Sequence, residues 1–85
     1  MTSIKILWVD DEIELLKSHF LFLEQRGYQT TPCNNGQDAL SLIKKNSFDV
    51  VLLDENMPGL SGLDTLNELK IILPNLPVIM ITKNE

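Results

Sequence analysis

Four short runs of aliphatic and β-branched residues divide this 85-residue chain: IKILWV (4–9), YQTTPC (28–33), DVVLL (49–53) and PVIMI (77–81). The segments between them carry apolar residues at helical spacing. Strand-like runs alternating with helical ones are the signature of an α/β fold with a parallel sheet, so the expected order is βαβαβαβ in a single domain, 1–85. DVVLL and PVIMI are continuously apolar, as in strands covered on both faces, and belong near the centre of such a sheet. YQTTPC is polar and holds Pro32, whose missing N–H is tolerated at a sheet edge. The strand order that follows is 2-1-3-4.

The helices have their own signals. Ile13, Leu16, Phe20 and Leu23 predict a first helix over 12–26, with Gly27 placed for a left-handed C-terminal cap. Asn35 with Asp38, and Ser61 with Asp64, read as capping boxes for the second and third helices, and Pro74 and Pro77 end the third. The right-handed crossover rule puts the first helix on one face of the sheet and the other two on the opposite face. The winding then reverses between strands one and three. Ligands of doubly wound sheets bind at that reversal, beyond the carboxyl ends of the strands.

Strand one runs into Asp10, Asp11 and Glu12, and strand three into Asp54. A like charge about 4 Å away costs roughly 4 kcal/mol at an effective dielectric near 20, so acids gathered at one rim need a reason. One reading is a cation site built from Asp10, Asp11 and Asp54. Carboxylates without Cys or His are hard donors that suit Mg²⁺ or Mn²⁺ and argue against zinc. The other reading is that acids in a first helical turn complement the helix dipole, which we assign to Glu12 and Glu14.

Composition narrows the partners. The net charge is −5 with seven basic residues scattered along the chain, which argues against non-specific binding to nucleic acid or anionic lipid. Cys33 is the single cysteine, so no disulfide forms within the chain, and we read it as structural in a cytoplasmic protein. No window reaches transmembrane length and the first residues lack a signal-peptide layout.

The segment DENMPGLSG (54–62), preceded by the acid pair and followed by a hydroxyl residue after strand four, resembles the receiver domain of bacterial two-component response regulators, a CheY-like, flavodoxin-like fold. The resemblance runs from Ile4 to the last residue. It implies that Asp54 accepts a phosphoryl group from a sensor histidine kinase and that Asp11 binds Mg²⁺ directly, with Asp10 acting through water. It also implies that the Asn56 backbone carbonyl completes the metal shell and that Thr82 supplies the hydroxyl that binds the phosphoryl group. Pro58 and Gly62 shape the loop between. Such a module signals and is not an enzyme in its own right; the alternative is a small Mg²⁺-dependent phosphohydrolase with an aspartyl-phosphate intermediate, against which Asn56 stands where those enzymes carry an acid. A receiver that binds partners without being phosphorylated is a third reading.

Receivers of this family end with a fifth strand, which carries a lysine, and two more helices, whereas this sequence stops at Glu85. Neither Lys5 nor Lys83 replaces that lysine. The expectation is a chain cut from a longer one with a C-terminal effector region, or one that self-associates through an exposed strand four. ILWVDDEIELLK, LDENMPG and MITKNE look especially like PorX-type regulators of Bacteroidetes, whose signalling is linked to type IX secretion. His19 reads as a surface or packing residue, Trp8 as core close enough to Asp10 to report on metal, and Leu15 and Phe22 as core in preference to partner contacts on helix one, where sensor kinases dock on receivers.

Overall fold

A computed structural model describes residues 3–82. Its elements are β1 (Ile4–Val9), a 3₁₀ turn (Ile13–Leu16), α1 (Lys17–Gln25), β2 (Tyr28–Cys33), α2 (Gly36–Lys45), β3 (Val50–Asp54), α3 (Gly62–Ile72) and β4 (Val78–Ile81). All strand pairs are parallel and their order is β2-β1-β3-β4, as the sequence predicts.

Alternation along the strands sorts the side chains onto two faces. Leu7 and Val9 of β1 and Val51 and Leu53 of β3 are buried with Ala39 and Ile43 of α2 and Leu69 of α3, and Val78 and Met80 of β4 pack against them. On the opposite face the Trp8 ring meets Phe20 of α1 edge-on, with centroids 5.2 Å apart, and His19 at 6.1 Å. Among the described elements, helix α1 therefore lies alone on its side, over β1 and β2. Further along that face Ile79 is 54% exposed, since no described element covers it.

Caps fix the helix starts. The Asn35 side chain accepts from the Asp38 N–H at 2.7 Å and donates to the Asp38 carboxylate at 2.9 Å, while Ser61 Oγ accepts from the Asp64 N–H at 3.1 Å. Gly27 takes φ +92° after α1, the left-handed cap that its position predicts.

The first helix departs from expectation. In place of a continuous α-helix from residue 12, the chain makes tight bonds from Ile13 N–H to the Asp10 carbonyl and from Leu15 N–H to the Glu12 carbonyl. The cause is Asp10, whose Oδ1 accepts the Glu12 N–H at 2.8 Å and holds the backbone in a turn before the helix begins. Ile13 is buried while Leu15 and Phe22 lie exposed, so the core assignment of the latter two is corrected: Leu15 falls within the 3₁₀ turn, and Phe22 stacks under the Arg26 guanidinium at 4.6 Å.

The two edges of the sheet differ. Asp10 N–H donates to the Cys33 carbonyl, so alternate residues of β2 turn their backbone groups to β1, and Pro32 is among those turned outward, where no donor is required. On β4, the Pro77 and Ile81 carbonyls accept from Val51 and Glu55, so the backbone groups of Val78 and Met80 point away from β3 while their side chains pack into the core.

Candidate functional site

Each half of the site grows from a strand end. Val9 pairs with Leu53, so Asp10 and Asp54 are the next residues on neighbouring parallel strands, whose axes lie about 4.8 Å apart. Both are buried, at 1% exposure. Sequence reasoning put Asp54 just after its strand; it is instead the last residue of β3, paired with Ile81. Asp49, expected in that strand, precedes it and ties it to the start of β1, its Oδ2 and its N–H meeting the backbone of Lys5 at 2.8 Å each. Lys5 thus sits at the amino end of the sheet, away from the acids.

The same device ends both strands. Asp10 Oδ1 accepts the Glu12 N–H at 2.8 Å, and Asp54 Oδ1 accepts the Asn56 N–H at 3.2 Å. A carboxylate that binds the N–H two residues on makes a local turn and is itself oriented by it. Around the rim, carboxylate oxygens of Asp10, Asp11 and Glu12 all lie within 4.8 Å of one another, with Asp10 buried and the other two exposed. The expected trio of Asp10, Asp11 and Asp54 is not what gathers here: Asp54 lies outside this group, and the strand register places its backbone beside that of Asp10. Glu12, assigned from the sequence to the helix dipole, thus also stands close to Asp10 and Asp11, a closeness for which three consecutive acids are the signal.

These donors fit a hard divalent cation. Mg²⁺ takes six oxygens at about 2.0–2.1 Å, so donors in one shell sit about 3–4.2 Å apart, close to the spread of the three carboxylates. The oxygen-only donor set has no softer member.

The loop after Asp54 is tightly held. Met57 is buried in the core, Gly59 turns with φ +76°, and a side chain at position 62 would collide with the Asp54 carbonyl and crowd Glu55 Cα at 2.7 Å. Glycine at 62 is thus a requirement of close backbone approach. Thr82 is exposed and follows Ile81, the residue paired with Asp54, so it lies one position beyond Asp54's partner on the neighbouring strand. Lys83 lies outside the described residues. Cys33 is buried at the end of β2, where its thiol donates to the Asn35 carbonyl at 3.2 Å; burial pushes its pKa up, and the Asp38 charge adds to the effect.

The sequence model of the response regulator receiver domain matches residues 6–85. The chain is 42% identical over 78 residues to a transcriptional regulatory protein CpxR homolog of Haemophilus influenzae, covering 92% of this chain and 34% of that protein. It is 39% identical over 84 residues to sporulation initiation phosphotransferase F of Bacillus subtilis, covering 96% and 66%. The chain thus spans about a third of the first relative and just under two thirds of the second. Among solved structures, response regulator protein TrrA of Thermotoga maritima, in complex with Mg²⁺–BeF, aligns with a TM-score of 0.87 at 32% identity, over 96% of this chain and 71% of that one. Chemotaxis protein CheY4 of Vibrio cholerae aligns with a TM-score of 0.90 at 28% identity, over 99% and 72%.

Proposed function

Because the chain belongs to the response regulator receiver domain family, we propose that it is a signalling phosphoacceptor in which Asp54 takes a phosphoryl group from a sensor histidine kinase. The observation that carries this reading is the pair of buried carboxylates, Asp10 and Asp54, on adjacent strand ends beside the Asp11 and Glu12 carboxylates. That is costly for folding alone, since buried acids lose hydration, and it is what an anionic nucleophile facing an anionic substrate requires.

In the reaction, an Asp54 oxygen forms a bond to phosphorus as the bond from phosphorus to the histidine nitrogen breaks, and the imidazole leaves. The nucleophile needs no general base, because a carboxylate is ionised at neutral pH. The turn from Asp54 Oδ1 to the Asn56 N–H fixes the carboxylate's orientation at the end of β3. Asp10, Asp11, Asp54 and the Asn56 carbonyl would hold a divalent cation, which when bound would supply positive charge against the phosphoryl oxygens. The Mg²⁺ in the TrrA complex supports such a site here.

Phosphorylation replaces one negative charge on Asp54 by nearly two. Thr82 donates its hydroxyl to the added group and carries the change into β4, from which an effector region reads it. Leu15 and Phe22, exposed on the α1 side, offer the kinase an apolar contact. The motifs shared with PorX-type regulators support an output in signalling linked to type IX secretion, in the cytoplasm. No described helix is long and apolar enough to cross a membrane.

The test is intact-mass spectrometry after incubation with acetyl phosphate and Mg²⁺, comparing the protein with Asp54→Ala. One phosphoryl adduct is expected in the first and none in the second. An adduct that persists in Asp54→Ala removes Asp54 as the acceptor.

A further inference from the structure

The first turn of α2 touches the loop that follows Asp54, and it does so through a residue with no side chain. A Cβ on Gly36 would collide with the Thr65 hydroxyl and would sit 3.2 and 3.3 Å from Leu60 Cδ2 and Cβ. Neither neighbour moves freely. Thr65 is fully buried, and its hydroxyl donates to the Ser61 carbonyl at 2.7 Å. Ser61 is the N-cap of α3. Leu60 belongs to the segment 55–61, which is closed at its ends by the Asn56 N–H on Asp54 Oδ1 and by the Gly62 N–H on the Glu55 carbonyl at 3.3 Å.

We infer that Gly36 is a positioning residue for the cation site: its bare Cα lets Leu60 and Thr65 seat against α2, and this contact sets the 55–61 loop and hence the Asn56 backbone. The inference rests on the cation reading given above. It places control of the site in an element that carries none of the site's acids. A loop pinned at both ends transmits a push at Leu60 to its remaining members, among which Glu55, Asn56, Pro58 and Gly59 are exposed and carry little packing of their own.

Because the contact is a packed one, its coupling to the site is expected to be worth a factor of about two to thirty in Mg²⁺ affinity. The test is a Mg²⁺ titration of the ¹⁵N-labelled protein by NMR, read at the amides of Asp11, Glu12 and Asn56, for the unsubstituted chain, Gly36→Ala, Thr65→Ala, the double variant Gly36→Ala/Thr65→Ala, and Leu60→Ala. Gly36→Ala is expected to shift the Glu55 and Asn56 amides before any metal is added and to weaken Mg²⁺ binding. The double variant, which makes room for the new methyl group, is expected to return toward the affinity of Thr65→Ala. Leu60→Ala, which removes the seated side chain without a clash, is expected to weaken binding as well, and it serves if Gly36→Ala does not fold.

Mg²⁺ affinity in Gly36→Ala and Leu60→Ala unchanged from that of the unsubstituted chain, with only their stability reduced, would overturn the inference while leaving the cation site standing. A double variant no better than Gly36→Ala would overturn it too. Absence of any Mg²⁺ response in the unsubstituted protein would overturn the cation reading, and this inference with it.

Discussion

Replacing Gly62 by alanine sets two effects of opposite sign against each other, and the structure decides between them. Alanine is the better helix former, by about 1 kcal/mol in a helix interior, and Gly62 is the first residue of α3. Against that, the new methyl group meets the Asp54 carbonyl and lies 2.7 Å from Glu55 Cα and 2.9 Å from the Glu55 carbonyl oxygen. These are backbone atoms. They belong to the end of β3 and are held by the ladder bond from Glu55 N–H to the Ile81 carbonyl, so no side-chain rotation relieves the overlap. Overpacking of this kind costs about 1–3 kcal/mol. At the first helical position the gain is only a fraction of its interior value, so the net expectation is a loss of about 1–2.5 kcal/mol, or about 4–20 °C in melting temperature for a domain of this size. Urea unfolding followed by Trp8 fluorescence and far-UV circular dichroism measures it. A Gly62→Ala protein within about 0.5 kcal/mol of the parent would refute the argument, because only a backbone at 54–55 free to retreat could absorb the methyl group so cheaply.

Other outcomes follow from the same contacts. Asn35→Ala removes the acceptor for the Asp38 N–H at the start of α2 and is expected to cost about 1 kcal/mol in chemical denaturation, whereas Asn35→Asp keeps most of that bond. Saturating Mg²⁺, at about a hundred times its dissociation constant, is expected to raise the unfolding free energy by about 2.7 kcal/mol, with the gain largely lost in Asp11→Asn. For Cys33 the folded-state pKa is raised by burial, so the native state holds its proton more tightly than the unfolded chain does. Its stabilising contribution is fully present below the unfolded thiol's pKa and is lost as pH rises through the folded value. Unfolding free energy should therefore fall on the alkaline side of about pH 8.5, with a slope of at most about 1.4 kcal/mol per pH unit that Cys33→Ala abolishes. Alkylation of the native thiol near pH 8 should likewise be slow.

What the sequence discloses and what it conceals divide along physical lines. Strand β1 and strand β2 begin and end where their composition predicts, because period-two burial and Pro32 act locally. The order of strands follows from where apolar and polar runs can sit, and it places Asp10 next to Asp54 across 44 positions of sequence. The start of the first helix was not legible, since helical spacing of Ile13, Leu16 and Phe20 says nothing about a carboxylate at Asp10 competing for the Glu12 N–H. The same bond sets Glu12 beside Asp10 and Asp11, a closeness that its placement in a helical first turn concealed. The contact at Gly36 leaves no local mark in the sequence, because its neighbour Thr65 is far along the chain and buried by tertiary packing alone. Leu15 and Phe22 misled for a simple reason: hydrophobicity predicts burial on average, not for each residue.

Pro32 gives the β2 margin of the sheet a built-in stop. An extended chain laid against that side finds no donor at one rung of the ladder, so unwanted strand addition there is discouraged by a residue whose missing N–H costs the native pairing with β1 nothing.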